Sequence, residues 1–164
     1  MAQKNAFGTG FALITLLGLA VLFYFYTTDY FSKAHNPNQN VMINQSSGEL
    51  VLQVSQDGHY RVDGLINGYP VVFMLDTGAS GVALNEALAK KIGLEKGMRG
   101  QSSTANGLTH NWITHIDLLD MGGIQVRDVR ASILPNMDDE VLLGMNVLGQ
   151  LNIQQSNGEL RLSQ

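Results

Sequence analysis

Cysteine is absent from the 164 residues, which excludes disulfides, thiolate metal sites and a cysteine nucleophile while leaving oxidising and reducing compartments equally open. Positive charge is sparse: 10 Lys and Arg stand against 14 Asp and Glu, scattered singly or in short pairs. No basic stripe follows a phosphate backbone, so nucleic acid is not an expected partner. Histidine is too thin for a metal set. His110 and His115 are five apart, on opposite faces of a strand, and nothing completes a site, so no metal and no cofactor is expected. The glycines form no phosphate loop, because neither Gly-x-Gly-x-x-Gly nor Gly-Lys-Ser follows a strand. Asp138-Asp139-Glu140 reads as a solvated turn before an apolar strand, and Trp112 as a packed core residue. There is no internal repeat, and the length suits one domain with a real core.

What the chain does have begins at its N-terminus. Between Lys4 and Asp29 lie 24 uncharged residues, strongly apolar from Phe11 to Tyr26 and ending in aromatics suited to a headgroup region. A cleaved signal peptide is the competing reading, but the run is longer than a signal core and no small-x-small site follows it. Residues 1–31 therefore read as an uncleaved membrane anchor spanning about 7–26. The slight positive bias of the N-terminal flank places the remainder outside the cytoplasm. Residues 32–48, rich in Asn, Gln and Ser, read as a polar linker, and 49–164 as the folded domain.

That domain reads as all-β, with many glycines and short Val, Ile and Leu runs. Leu50, Leu52 and Val54 alternate. After an Asp57-Gly58 turn Tyr60, Val62 and Ile66 share a face, with Arg61 and Asp63 opposite. Asn67-Gly68 is a favoured hairpin turn, and the apolar run Pro70–Leu75 beyond it predicts a strand buried on both faces that ends at Asp76. Residues 85–92 predict a short helix with Asn85 as N-cap, Gly93 as stop, and Leu84, Leu88 and Ile92 as its buried stripe. Strands are expected near Trp112–Leu118 and over Ile124–Leu134. A short helix is expected near Asn146–Gln150, then a last hairpin through Asn157-Gly158.

The chemistry gathers at Asp76-Thr77-Gly78-Ala79-Ser80. A carboxylate at the end of a buried strand is held rigidly, Thr77 offers a bracing hydroxyl, Gly78 permits close backbone approach, and Ala79 and Ser80 are small enough to leave the site open. Sixty-eight residues after Asp76 stands Gly144, preceded by Leu142-Leu143 and followed by an apolar segment of helical character.

The pair PVVFMLDTGAS and VLLGMNVLGQL resembles retropepsin-like aspartic proteases, in which an Asp-Thr-Gly-Ala loop packs against a strand ending in two apolar residues and Gly, followed by a helix. The resemblance covers about Tyr60 to Leu151 and is greatest to bacterial, membrane-anchored members with one such domain. It implies a closed acid-protease barrel with short helices behind one transmembrane helix, obligate homodimerisation, and endopeptidase activity on protein or peptide substrates. It also implies a bacterial inner-membrane location with the domain on the periplasmic side. Asp76 is then the catalytic residue, Thr77, Gly78, Ala79 and Ser80 its loop, and Leu142, Leu143 and Gly144 the loop support. The candidate flap is Ser102–Thr109, with Ala105, Asn106 and Gly107 at its tip. Two carboxylates sharing a proton are the known chemistry of that protease class. This chain has one Asp-Thr-Gly and no Asp-Ser-Gly, so a second chain has to bring the second carboxylate. Retroviral members pair acidic residues after the first motif with an Arg after the second Gly. Here Ser80-Gly81 and Met145 stand there, so both halves of that ion pair are missing together. The alternative from another class is an anchored, non-catalytic module that binds extended peptides in the same groove.

Overall fold

The computed structural model describes residues 3–104 and 107–164, with side chains described over 8–103 and 107–164. The chain divides into two compact units, Met1–Ala34 and His35–Gln164. The first is one helix, α1 (Gln3–His35), whose stretch Gly8–His35 has a mean hydropathy of 2.0 and is long and apolar enough to cross a membrane. Its described apolar side chains, Leu16 and Phe23 among them, are exposed.

The second unit is a closed barrel. Its strands are β1 (Leu50–Gln53), β2 (Tyr60–Ile66), β3 (Tyr69–Leu75), β4 (Val82–Asn85), β5 (Arg99–Thr104), β6 (Gly107–Met121), β7 (Ile124–Leu134), β8 (Val141–Leu143), β9 (Asn152–Ser156) and β10 (Glu159–Ser163). Two short helices, α2 (Glu86–Ile92) and α3 (Met145–Leu148), follow β4 and β8. Neighbouring strands run β2-β3-β8-β4-β7-β6-β5, and a further β2–β6 pairing closes the ring. Closure turns on Gly64, which pairs with Val71 of β3 and also with Met121 of β6. A Cβ there would overlap the Asp120 carbonyl oxygen and stand 2.5 Å from the Phe73 ring, so only glycine lets β2 bend between its two partners. A separate sheet, β1-β10-β9, caps the barrel and adds Leu50, Leu52, Leu160 and Leu162 to a core built on Phe73, Leu84, Ile116, Ile133 and Leu143. Val54 departs from the face shared by Leu50 and Leu52 and is 39% exposed.

Two local expectations are refined. β3 is buried on one face only: Val71, Phe73 and Leu75 point into the core, while Val72 and Met74 are half-buried on the other side. In α2, Asn85 accepts from the Leu88 amide at 2.7 Å as the N-cap, and the helix stops at Gly93. Its fully buried residue is Ala89. Leu84 belongs to β4, whose four residues are all buried.

The segment read as a polar linker is bound to the barrel from His35 onward. Asn38 is buried, donates to the Gln53 and Arg61 carbonyls at 2.8 and 2.7 Å, and accepts from the Gln53 amide at 2.6 Å. Asn36, also buried, donates to Asp63 at 2.7 Å. Val41 and Ile43 then pack on the core, and the Ile43 amide bonds to the Gly122 carbonyl at 2.6 Å. Polar residues are tolerated there because each meets a partner that is remote in sequence.

Candidate active site

Asp76 follows directly on β3. Leu75 is buried and aligned with Leu143 of the parallel strand β8, and the Asp76 amide bonds to the Leu143 carbonyl at 3.1 Å. From there the loop turns back on itself. The Ala79 amide reaches the Asp76 carbonyl at 3.2 Å, and the Gly78 amide donates to the Asp76 carboxylate oxygen Oδ1 at 2.8 Å. Oδ2 has no hydrogen-bond partner among the described residues. The side chain is partly exposed, so the carboxylate is held at its root and keeps one oxygen without a protein partner among the described residues.

The loop support expected at Leu142, Leu143 and Gly144 lies against this turn. Leu142 aligns with Ala83 of β4 on one side and with Met74 of β3 on the other, so β8 is wedged between the strands entering and leaving the loop. A Cβ on Gly144 would stand 2.5 Å from the Gly81 carbonyl oxygen, 2.6 Å from its amide nitrogen and 2.8 Å from the Ala79 carbonyl oxygen. Backbone lies on backbone at this point. α3 completes the clasp, its Met145 and Asn146 amides bonding to the Ala79 and Ser80 carbonyls at 2.8 and 3.2 Å. These bonds hold the loop where no Arg–acid pair is present. Thr77 and Ser80 are exposed and Ala79 half-buried. The Thr77 hydroxyl has no partner among the described residues, so within one chain the loop is braced by backbone groups.

Of the candidate flap, Ala105 and Asn106 lie outside the described residues. Gly107 opens β6, and the β5–β6 hairpin is paired from Arg99↔Trp112 to Thr104↔Gly107. Trp112 is half-buried, packed on the core with the Lys96 ammonium 3.8 Å from its ring centre.

Three contributors to this region carry no sequence signal. Asn146 donates from its side chain to the Arg130 carbonyl at 2.8 Å, tying α3 to β7. Arg61 is buried although its place in the strand alternation points it outward. Its guanidinium grips Asp57 through two bonds of 2.8 Å and Glu140 through one of 2.7 Å. Glu140, which also meets His35, immediately precedes β8. The acidic run before β8 is therefore fastened at two places, since Asp139 accepts from Asn85 at 2.9 Å.

The Arg61 guanidinium holds the Asp57 carboxyl well below the usual carboxylate range, and that carboxylate in turn raises Arg61. A depressed carboxyl stabilises the fold above its unfolded value and loses that contribution as pH falls toward the folded one. Unfolding free energy should thus decline below about pH 4. In urea titrations across acidic pH, Asp57→Asn should flatten that decline; an identical slope in the variant would assign it to other carboxyls.

Comparison with known proteins agrees with this geometry. The family model described as "gag-polyprotein putative aspartyl protease" matches residues 62–150, more than half of the chain. An uncharacterized protein encoded in the cobV 5′ region of Sinorhizobium sp is 32% identical over 77% of this chain and 57% of its own length. An uncharacterized protein of Rickettsia prowazekii (strain Madrid E) is 33% identical over 62% of this chain and 45% of its own. The chain thus spans about half the length of these curated relatives. A crystal structure of a retropepsin-like aspartic protease from Rickettsia conorii superposes with a TM-score of 0.60 at 26% identity, covering 70% of this chain and 89% of that one. With a matching family model, a shared barrel and an Asp-Thr-Gly loop clasped by the strand and glycine 68 residues on, this chain belongs to the retropepsin-like aspartyl protease family.

Proposed function

We propose that the chain is an aspartic endopeptidase that works as a homodimer, each copy contributing Asp76. The observation that carries this reading is a carboxylate fixed at its root, with one oxygen free of protein partners among the described residues, in the chain's one Asp-Thr-Gly motif. One carboxylate cannot serve as acid and base at once. Two held close share one proton, since like charges so near do not both ionise. The ionised member then takes a proton from the water between them as that water attacks the scissile carbonyl carbon, while the protonated member gives its proton to the carbonyl oxygen. Collapse of the resulting gem-diol returns a proton to the amide nitrogen and breaks the C–N bond.

A free sheet edge supports the dimer. β9 is exposed at every residue and, among the described residues, pairs with β10 alone, which suits an isologous contact between copies. α1 is read as a membrane anchor that raises the effective concentration of partners, with the barrel on the periplasmic side. The β5–β6 hairpin is read as the flap that shields the substrate from water. Cleavage of a mixed peptide library by the full chain in detergent micelles, from acidic to neutral pH, tests the reading. Cleavage present in wild type and lost in Asp76→Asn is expected, and cleavage by neither would favour a peptide-binding module.

A further inference from the structure

At the other end of β3 from Asp76 lies an open groove of ≈ 670 Å³ with no part in the chemistry above. Val72, on its wall, is four residues from Asp76, or about 13 Å along a strand. The lining is largely apolar and includes Val41, Leu65, Pro70, Val72 and Leu88. Leu65 and Tyr69 are 41% and 37% exposed along it, so apolar surface is available to a partner there.

Two independent features give the groove a direction and a charge. β3 has β2 beside it along its whole length, whereas β8 reaches only Phe73–Leu75. Among the described residues, Tyr69–Val72 therefore have no partner strand on that side; the edge borders the groove and offers the Val72 amide and carbonyl and the Pro70 carbonyl, since proline has no N–H. Around it stand three carboxylates, Asp63, Asp120 and Asp139, against one ammonium, Lys91. Asp63 accepts from Asn36, Asp139 from Asn85, and Asp120 from the Gly123 amide and the Gln125 side chain. All of these donors are neutral, and among the described residues no cation pairs with any of the three.

We propose that this groove docks an extended peptide segment in which basic and aliphatic residues alternate. Its backbone adds to the open edge of β3, its aliphatic side chains sit on the floor, and its Lys or Arg stems run along the apolar wall to the rim carboxylates. The site is spatially separate from Asp76, and it stands whether or not the chain cleaves peptides.

The test uses the full chain carrying Asp76→Asn in a neutral detergent, so that no probe is consumed. Fluorescence anisotropy is followed with labelled peptides of alternating Lys and Val, alternating Glu and Val, and alternating Lys and Ser. The Lys–Val peptide should bind tightest, and added salt should weaken it. Asp63→Asn combined with Asp139→Asn should weaken it about tenfold, because each carboxamide still accepts its internal bond while the charge is gone. Leu65→Asn should weaken it several-fold through the floor. Equal binding of the three peptides, no binding of the Lys–Val peptide, or affinities untouched by both variants would overturn the proposal. Sedimentation showing that Leu65→Asn abolishes self-association of the chain would make a second copy the occupant, and would overturn it equally.

Discussion

Asp76→Asn is expected to lower peptide cleavage by about a thousandfold or more while leaving the urea midpoint nearly unchanged. The two halves of that expectation rest on different atoms. Oδ1 accepts the Gly78 amide at 2.8 Å, and an asparagine carbonyl in the same place still accepts it. The Asp76 amide keeps its bond to the Leu143 carbonyl in either case. What the variant lacks is an oxygen that can take a proton from water. Steady-state cleavage beside equilibrium unfolding of the same preparation separates the two effects. A variant inactive because it is unfolded would place Asp76 in the scaffold, and a fully active one would remove it from the mechanism.

The second large effect is expected at Gly144. A single methyl group there meets the Gly81 carbonyl, the Gly81 amide and the Ala79 carbonyl, all backbone atoms that cannot swing aside as a flexible side chain would. Gly144→Ala should destabilise the fold by about 2–4 kcal/mol. In whatever fraction folds, the loop must move away from β8. A displacement near 1 Å at a positioning element costs on the order of a hundredfold in rate. Gly81→Ala is the matched control from the same loop, because a Cβ at Gly81 finds its nearest neighbours, the Asn146 side-chain atoms, at an ordinary 3.7 Å. It should change stability by no more than about 0.5 kcal/mol. Similar losses in both variants would mean that the loop tolerates no change at all, and that close backbone approach does not set Gly144 apart.

The parts of the fold that were legible in the sequence are those whose causes are local. The strand before Asp76 announced itself by its apolar run and the Asn67-Gly68 turn, and α2 by its capping asparagine and terminal glycine. β7 runs over Ile124–Leu134, the bounds expected from the sequence. The pairing of the Asp76 loop with Gly144 was legible only through family resemblance, because nothing in the residues between them says which strand inserts beside which.

What stayed hidden depends on partners distant in the chain. β4 is four residues long and runs straight into a helix cap, so its apolar residues merge with the helical stripe. Asn36 and Asn38 look like linker residues until Gln53, Arg61 and Asp63 are brought to them. Arg61 sits where alternation points it outward, and only Asp57 and Glu140 folding over it make its burial tolerable. The bend at Gly64 that closes the barrel depends on Phe73 and Asp120 crowding it from two other strands.

The central claim is that one active site needs Asp76 from two chains, and mixing measures that directly. Wild-type and Asp76→Asn chains are co-expressed in known ratios, purified together in detergent, and assayed per wild-type chain. Random pairing at equal amounts leaves about one quarter of the dimers with two aspartates, so activity per wild-type chain should fall to about half, and further as the variant exceeds it. Activity per wild-type chain that stays constant at every ratio would mean that each chain works alone, and would contradict the shared site.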